Sequence, residues 1–364
     1  MADTVYGVNA NEAVKLWSAK LAREALKKTY VKRFMGAGSD SLIQIKNETN
    51  KGPGDRVRVT LRMQLTGDGV QGDGDLEGNE ESLTTFTDDI VINQLRHAVR
   101  SEGKMTEQRI PFSIREEAMM GLSDWFADRW DTWFFNQMCG YTPQTDTKFT
   151  GHNAVAAPTR QVFPLAITND QSLTSPTDHK FSLILLDKAI ERAKVTTTGA
   201  VPPPVRPIMV NGKPYFVAFL HPYQVTDLRT TTSSSTAHPI LWYDIQKSAM
   251  QGGKIKDNPI FDGALGEYNG VILHESTRVT QGANGSTPTT AVSTVRRAVL
   301  CGAQAGLAAF GQGHDKSSYD WFEQLFDYGN KLGVKAGCIS ALKKARYNSQ
   351  DFAAIVMSSY AAAH

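Results

Sequence analysis

A single uninterrupted helix most constrains what this chain can fold into. The segment SIREEAMMGLSDWFADRWDTWFFNQMCG, Ser113 to Gly140, contains no proline, and Pro111 stands just ahead of it. Proline is excluded from helix interiors because it lacks a donor and clashes with the preceding turn, so Pro111 marks the entry. Ser113 with Glu116 matches the S-x-x-E capping box, in which two side chains satisfy orphan backbone donors. Gly140 supplies the left-handed residue that closes a C-terminus. About 26 residues at 1.5 Å each make a rod of roughly 39 Å. Ile114, Ala118, Leu122, Trp125, Phe126, Trp133 and Phe134 recur largely at helical spacing, and Trp130 adds a third tryptophan to the same rod. Aromatic side chains at that spacing read as core rather than as a ligand cage. Arg115, Glu116, Asp124, Asp128 and Arg129 are expected on the wetter face.

The stretch before the helix has the opposite character. From Met63 to Leu95 stand eight carboxylates (Asp68, Asp73, Asp75, Glu77, Glu80, Glu81, Asp88 and Asp89) and no Lys or Arg. DRVRVTLRMQL and TTFTDDIVINQL read as two strands joined through GDGVQGDGDLEGNEE, a hairpin with a tip rich in glycine and acid. An isolated two-stranded hairpin is marginal in water and needs a surface to rest on. Residues 12–46 carry eight Lys/Arg (Lys15, Lys20, Arg23, Lys27, Lys28, Lys32, Arg33 and Lys46) against Glu12, Glu24 and Asp40. Opposite charge on separate segments favours pairing between chains. Two unrelated solvated faces would read the same in the sequence.

The chemistry of catalysis is not legible. Gly67, Gly69 and Gly72 spell G-x-G-x-x-G, but carboxylates follow instead of a helix, and a pyrophosphate would be repelled. Asp73, Asp75 and Glu77 alternate like part of a calcium loop, without the rest of the twelve-residue pattern. His97 and His221 read as structural histidines, and no H-x-x-x-H or H-E-x-x-H pairing occurs. G-x-S-x-G and a glycine loop ending in G-K-[ST] are both missing. Cys139, Cys301 and Cys338 are odd in number and far apart, which fits neither a disulfide framework nor a zinc site and suggests folding in a reducing cytoplasm. No catalytic residue, cofactor or metal is therefore expected. The net charge of +2 argues against tight nucleic-acid binding over the whole surface. The opening MADTVYGVNANEAVK has no apolar leader core, and no run of about 18 apolar residues predicts a membrane span.

At 364 residues, two or three lobes are expected. Asn11 can cap a helix running to about Tyr30. After the long helix, residues 141–180 read as loop, Phe181–Lys194 as helix and VPPPVRP as a stiff connector. PYFVAFLHP reads as a buried strand leading into a helix in HPYQVTDLR, and TTTSSSTAHP as loop. DGALGEYNGVILHES reads as turn then strand, RRAVLCGAQAGLAAFGQ as a strand followed by small residues, and VKAGCISALKKARY and FAAIVMSS as the last two strands. The elements do not alternate as βαβα, so the class is α+β.

Taken together, several stretches resemble the major capsid proteins of N-four-like tailed bacteriophages, a family with the Hong Kong 97-type capsid fold. They are VYGVNANEAVKLWSAKLAREALKKTYVKRFMG, SLIQIKNETNKGPGDRVRVTLRMQLTGDGVQGDGDLEGNEE, INQLRHAVRSEGKMTEQRIPF with the long helix, FLHPYQVTDLR, and GVKAGCISALKKARYNSQDFAAIVMSS. The likeness spans most of the chain and is weakest over 141–180 and 229–250.

The resemblance implies an N-terminal arm over 1–50, an extended E-loop hairpin over 51–95 and a peripheral domain over 96–179 with its spine helix at 113–139. It further implies an axial domain over 180–300, with 301–364 returning to both domains. It implies a virion subunit, assembled in the host bacterial cytoplasm into pentamers and hexamers of an icosahedral shell around double-stranded DNA held non-specifically. Its partners would be itself, a portal and a separate scaffolding protein, with room for a decoration protein. The fold's type phage crosslinks through a loop lysine, and residues 52–95 here hold no lysine, so that crosslink is not expected. Candidate contacts between subunits are Lys20, Lys27, Lys28, Lys32, Arg33, Asp73, Asp75, Glu77, Glu80, Glu81, Trp125 and Trp130. An encapsulin-like compartment, or an α+β ligand-binding protein or enzyme, are the alternatives.

Overall fold

A computed structural model describes residues 20–21, 24–25, 28–46, 54–62, 65, 69–111, 113–195, 204–210, 212–230, 264–285, 287, 289–311 and 319–363. Most of the helix expected over 11–30, the TTTSSSTAHP loop after Thr230 and Lys27 lie outside them.

The rod runs from Ile114 to Met138. Its C-terminus closes as expected. Gly140 takes φ +63°, its N–H donates to the Gln137 carbonyl at 3.2 Å, and Tyr141 N–H donates to the Asn136 carbonyl at 3.0 Å. These are the two bonds of a Schellman motif. The N-terminus corrects the capping-box expectation. Ser113 is the N-cap, but its side chain makes no capping bond. Only its carbonyl is engaged, accepting Glu117 N–H at 3.1 Å.

A six-stranded sheet lies along the helix. Its centre is the 14-residue strand Lys331–Lys344. Asn93–Arg100 pairs along one edge of that strand; Tyr319–Phe326 and then Gly306–Phe310 pair along the other. Ile43–Lys46 adds in parallel beyond Gly306–Phe310. Directly paired residues share a sheet face. The face bearing Leu95, His97, Val99, Tyr319, Trp321 and Glu323 turns to the helix: Trp130 Nε1 donates to the Tyr319 hydroxyl at 3.2 Å, and Arg115 binds Glu323 at 2.6 Å.

The second sheet has eight strands, in the order Gln161–Val162, Ala354–Tyr360, Ala291–Cys301, Lys213–Leu220, Val271–Glu275 and Ala264–Tyr268, with two short strands off this path. Lys213–Leu220 and Val271–Glu275 run parallel, and both read as near-continuous apolar runs because both faces are covered. Helices Leu183–Lys194 and Pro222–Thr230 accompany this sheet. Phe219 from its centre meets Phe134, Phe135 and Phe34 edge to face at 5.1–5.6 Å between ring centres, which joins both sheets to one core.

Two strand readings are corrected. DGALGEYNGVILHES is a full hairpin, because Asn269 and Gly270 both take positive φ, +48° and +74°, in the manner of a type I′ turn. The small residues GLAAF form a strand of their own.

Candidate assembly surface

The predicted hairpin is present: Arg56–Arg62 pairs antiparallel with Thr85–Val91. Its root is held by the chain's own charges. Arg58 lies directly opposite Asp89 and grips it with two bonds, at 2.7 and 2.9 Å. That fork, chiefly through its hydrogen bond, holds the Asp89 carboxyl below its usual range. Lys343 pairs with Asp88 and donates to the Asp89 carbonyl at 2.8 Å. Arg346 N–H donates to Asp88 Oδ2 at 3.0 Å. Asn153 takes the Val91 N–H at 3.0 Å and returns a bond to its carbonyl at 3.1 Å. Two of the eight carboxylates expected in an acidic arm are thus compensated at the root.

The tip is different. Residues 69–84 carry no regular structure, and Asp73, Asp75, Glu77, Glu80 and Glu81 are exposed. Asp68 lies outside the described residues. The bonds within the tip are local: Glu80 accepts the Gly78 N–H at 2.7 Å, and Asn79 Nδ2 donates to the Asp75 carbonyl at 2.9 Å. Leu65, Val70, Leu76 and Leu83 stand exposed among the acids, the last two at 62% and 58%. Large apolar side chains projected on a two-stranded arm mark a surface meant to be covered. The signal was present in DLEGNEESL, where leucines interrupt the acids at Leu76 and Leu83.

Of the described basic candidates, Lys28 and Arg33 are engaged within their own chain. Lys28 pairs with Asp124 at 2.7 Å and donates to Ser123 Oγ at 3.1 Å. Arg33 lies over the Tyr30 ring at 4.5 Å and donates to the Tyr30 carbonyl at 3.2 Å. Lys20 and Lys32 are exposed. From Tyr30 onward the presumed arm belongs to its own subunit, since Val31, Phe34, Leu42 and Ile43 are core. Asp131 of the long helix fastens it by accepting Tyr30 and Val31 N–H at 3.2 and 3.1 Å. Burial outweighs those two bonds and pushes the Asp131 carboxyl up to about 6.

Trp130 is corrected as a contact between subunits. It is 2% exposed, against Tyr319, Trp133 and Phe310 inside its own chain. Trp125 is half-buried, stacked on His97 at 4.7 Å with Arg129 over its ring. The wet face expected of the helix is also largely spoken for: Arg115 binds Glu323, Asp128 pairs with Arg278, and Arg129 lies over Phe149. The last turns are buried all round and carry a feature that sequence reasoning missed. Trp133 Nε1 donates to the Lys148 carbonyl, Asn136 Nδ2 to Phe149, and Gln137 Nε2 to Thr150 and Asn153, at 2.6–2.9 Å. Polar side chains near the helix end thereby thread the following loop.

Among the described residues no group of three His, Cys, Asp or Glu is placed to hold a metal ion, and no helix is long and apolar enough to cross a membrane. Burial pushes the His221 imidazole down to about 4, and its Nδ1 accepts the Tyr223 N–H at 3.2 Å.

Comparison with known proteins agrees along the whole chain. Residues 5–363 match the family described as phage capsid protein. The major capsid protein of Pseudomonas phage KPP25 is 28% identical over 95% of this chain and 94% of its own length. The capsid of Ralstonia phage GP4 is similar in structure, with a TM-score of 0.77 and 31% identity over 100% of this chain and 99% of that one. The cyanophage Pam1 capsid, at 20% identity and a TM-score of 0.69, shares the fold over 93% of this chain.

Proposed function

Because this chain belongs to the phage capsid protein family and serves as the major capsid protein of a phage, we infer how its parts build the shell. The fold is of the Hong Kong 97 type and the protein is a structural component of the virion capsid, not an enzyme. Neither an encapsulin-like compartment nor a ligand-binding protein gains support from these relatives.

Copies of the chain associate as pentamers and hexamers and close into an icosahedral shell around double-stranded DNA. Each contact need only be weak, because every subunit makes several and the closed shell adds them. The hairpin over 51–95 reaches a neighbour. Residues 96–179 supply the peripheral body, 180–300 the axial one, and 301–364 serve both. Residues 1–50 contribute a shorter arm than expected, since Tyr30 onward is fastened to its own long helix. A separate scaffolding protein and a portal guide closure in the host cytoplasm, a decoration protein fits on the outside, and the DNA is held without sequence preference.

The observation that carries this reading is the hairpin: a root fixed by the side chains of Arg58, Lys343 and Asn153 and a tip whose acids and leucines stand exposed. Electron microscopy of the purified protein, with and without the neighbouring gene products, tests it. Uniform polyhedral shells or rings of five and six are expected. A small monodisperse oligomer under every condition would refute it.

A further inference from the structure

Helix Pro222–Thr230 is fastened to the eight-stranded sheet through its first turn, and the fastening is made by a histidine. The His221 carbonyl accepts the Val225 N–H at 3.1 Å, which makes His221 the N-cap. Pro222 fills the first helical position, where a missing donor costs nothing. Serine, threonine, asparagine or aspartate usually stands at the cap, because a side-chain oxygen accepts an orphan N–H there. Here the acceptor is a ring nitrogen: His221 Nδ1 takes the Tyr223 N–H at 3.2 Å. The other half of a capping box is present too, since Gln224 Oε1 accepts the His221 N–H at 3.0 Å. Gln224 is wholly buried. Its Nε2 donates to Ser359 Oγ at 2.7 Å and to the Arg296 carbonyl at 3.3 Å, on two neighbouring strands of the sheet.

The surroundings oppose a charge on this imidazole. His221 is 8% exposed. Its ring meets the Tyr223 ring edge to face, 4.5 Å between centres, and the Arg296 guanidinium lies over that same tyrosine at 5.6 Å. Burial first, and then Arg296, push the imidazole down from 6.5 to about 4. The other charged groups around it are engaged or turned away. Asp227, on the helix itself, pairs with Lys180 at 2.9 Å. Arg297 turns to the opposite sheet face, where Asp170 holds it. Glu275, opposite Leu220 on the adjoining strand, is exposed, and strand Ala354–Tyr360 presents the neutral Ser359. A proton on Nδ1 would aim a second donor at the Tyr223 N–H and set a second cation near Arg296. The cap therefore exists only while the imidazole is neutral.

We propose that His221 is an acid-sensitive catch: neutral, it caps helix Pro222–Thr230 and holds it on the eight-stranded sheet; protonated, it lets the first turn of that helix go. The open chain takes up the proton before the closed one does. Stability is thus fully present above about pH 6.5 and falls as pH drops from there towards 4. The catch acts within one subunit and stands whether or not the shell reading does. Asp131 changes stability in the opposite sense over an overlapping range, so its share cancels only in a comparison of variants at His221.

The test is urea unfolding of unassembled wild-type, His221→Asn and His221→Ala subunits at pH 8 and pH 5. Asparagine keeps a capping acceptor and does not titrate. From pH 8 to pH 5 the wild-type folding equilibrium should weaken about tenfold to thirtyfold more than that of His221→Asn. His221→Ala should be the weakest at pH 8, having no acceptor for the Tyr223 N–H, and as insensitive to pH as His221→Asn. Equal pH dependence in all three proteins would overturn the proposal. Hydrogen exchange of the wild-type protein covers the case in which a variant fails to fold. Corrected for the pH dependence of exchange itself, amides of Val225–Thr230 should lose about tenfold in protection at pH 5, and those of helix Leu183–Lys194 distinctly less. Unchanged protection over Val225–Thr230, or an equal loss in both helices, would overturn it.

Discussion

Replacing Asp351 tests the reading of the buried joint beneath the hairpin. Lys343 and Lys344 are neighbours on one strand and point to opposite faces. Lys343 holds Asp88 at the hairpin root. Lys344 turns inward and meets Asp351 at 3.0 Å, with side chains 1% and 0% exposed. Asp351 also accepts the Thr159 N–H at 3.0 Å and pairs with Arg346 at 3.2 Å. At this separation and an effective dielectric constant of about 20, the attraction is roughly 5–6 kcal/mol. Desolvation of the two ions offsets most of it, so the pair is close to neutral as a whole. Removing one member is not neutral, because it strands a charge. Asp351→Ala should therefore destabilise the subunit by about 3–5 kcal/mol. Lys344→Met with Asp351→Leu should cost at most about 2 kcal/mol, mainly for the Thr159 N–H that loses its acceptor. Urea unfolding of unassembled subunits, followed by tryptophan fluorescence, measures both. The pH dependence gives an independent signature. Burial already pushes the Lys344 ammonium below its usual range. Without Asp351 that depression deepens, the native state binds fewer protons than the unfolded chain, and stability rises with pH towards the ordinary lysine range. A loss under about 1 kcal/mol for Asp351→Ala, or a double variant as damaged as the single one, would refute the reasoning.

Other outcomes follow from the same geometry. Changing Asp73, Asp75, Glu77, Glu80 and Glu81 together to Ser should cut particle yield while leaving the melting temperature of the unassembled subunit within a degree or two, since exposed charges contribute little to folding; scanning calorimetry and particle counts read the two effects separately. Asp131 is protonated more readily in the folded subunit, at about 6, than in the unfolded chain, near 3.8. Its contribution is thus fully present below pH 3.8 and is lost as pH rises through 6, an amplitude of about 3 kcal/mol. Asp131→Asn should flatten that slope in urea midpoints taken between pH 4 and 7.5. Gly140→Ala forces a side chain into left-handed backbone, 2.8 Å from Pro158 Cδ and 3.0 Å from the Ala156 carbonyl. A loss of about 2–3 kcal/mol is expected, seen as a lowered melting temperature.

Elements built from local pattern were legible: the long helix, the hairpin, and the apolar runs PYFVAFL and AAIVMSS. What escaped was structure made by distant partners. YDWFEQLF buries Tyr319, Trp321 and Glu323 on one face, yet an inward Glu breaks the alternation a reader looks for. Glu323 is tolerated there because Arg115 of the long helix and Trp321 Nε1 reach it at 2.6 and 3.0 Å. GLAAF lacks the branched residues that favour strands and is extended because strands on both sides pair with it. The tryptophans misled in the other direction. Trp130 suggested a sticky exterior, whereas the helix end sits inside the core and uses Trp133, Asn136 and Gln137 to satisfy backbone carbonyls of the next loop.

The placement of charge explains how one chain can be both a stable subunit and a reversible building block. Ionic groups in the interior, Lys344 with Asp351 and Arg297 with Asp170 at 2.8 Å, are matched within the fold. Asp88 and Asp89 at the hairpin root are matched too, so folding alone fixes how the hairpin leaves the body. At the hairpin tip, by contrast, Asp73, Asp75, Glu77 and Glu80 stand exposed, available to cations of another copy. Exposed pairs of this kind are weak one at a time and are screened by salt. That weakness suits a shell, because a misplaced subunit held by one such contact can leave, while a correctly placed one gains several contacts at once. Stronger charge burial at the tip would stabilise each contact and remove that correction, so particles assembled at low ionic strength should include more malformed shells than those assembled near 0.15 M salt.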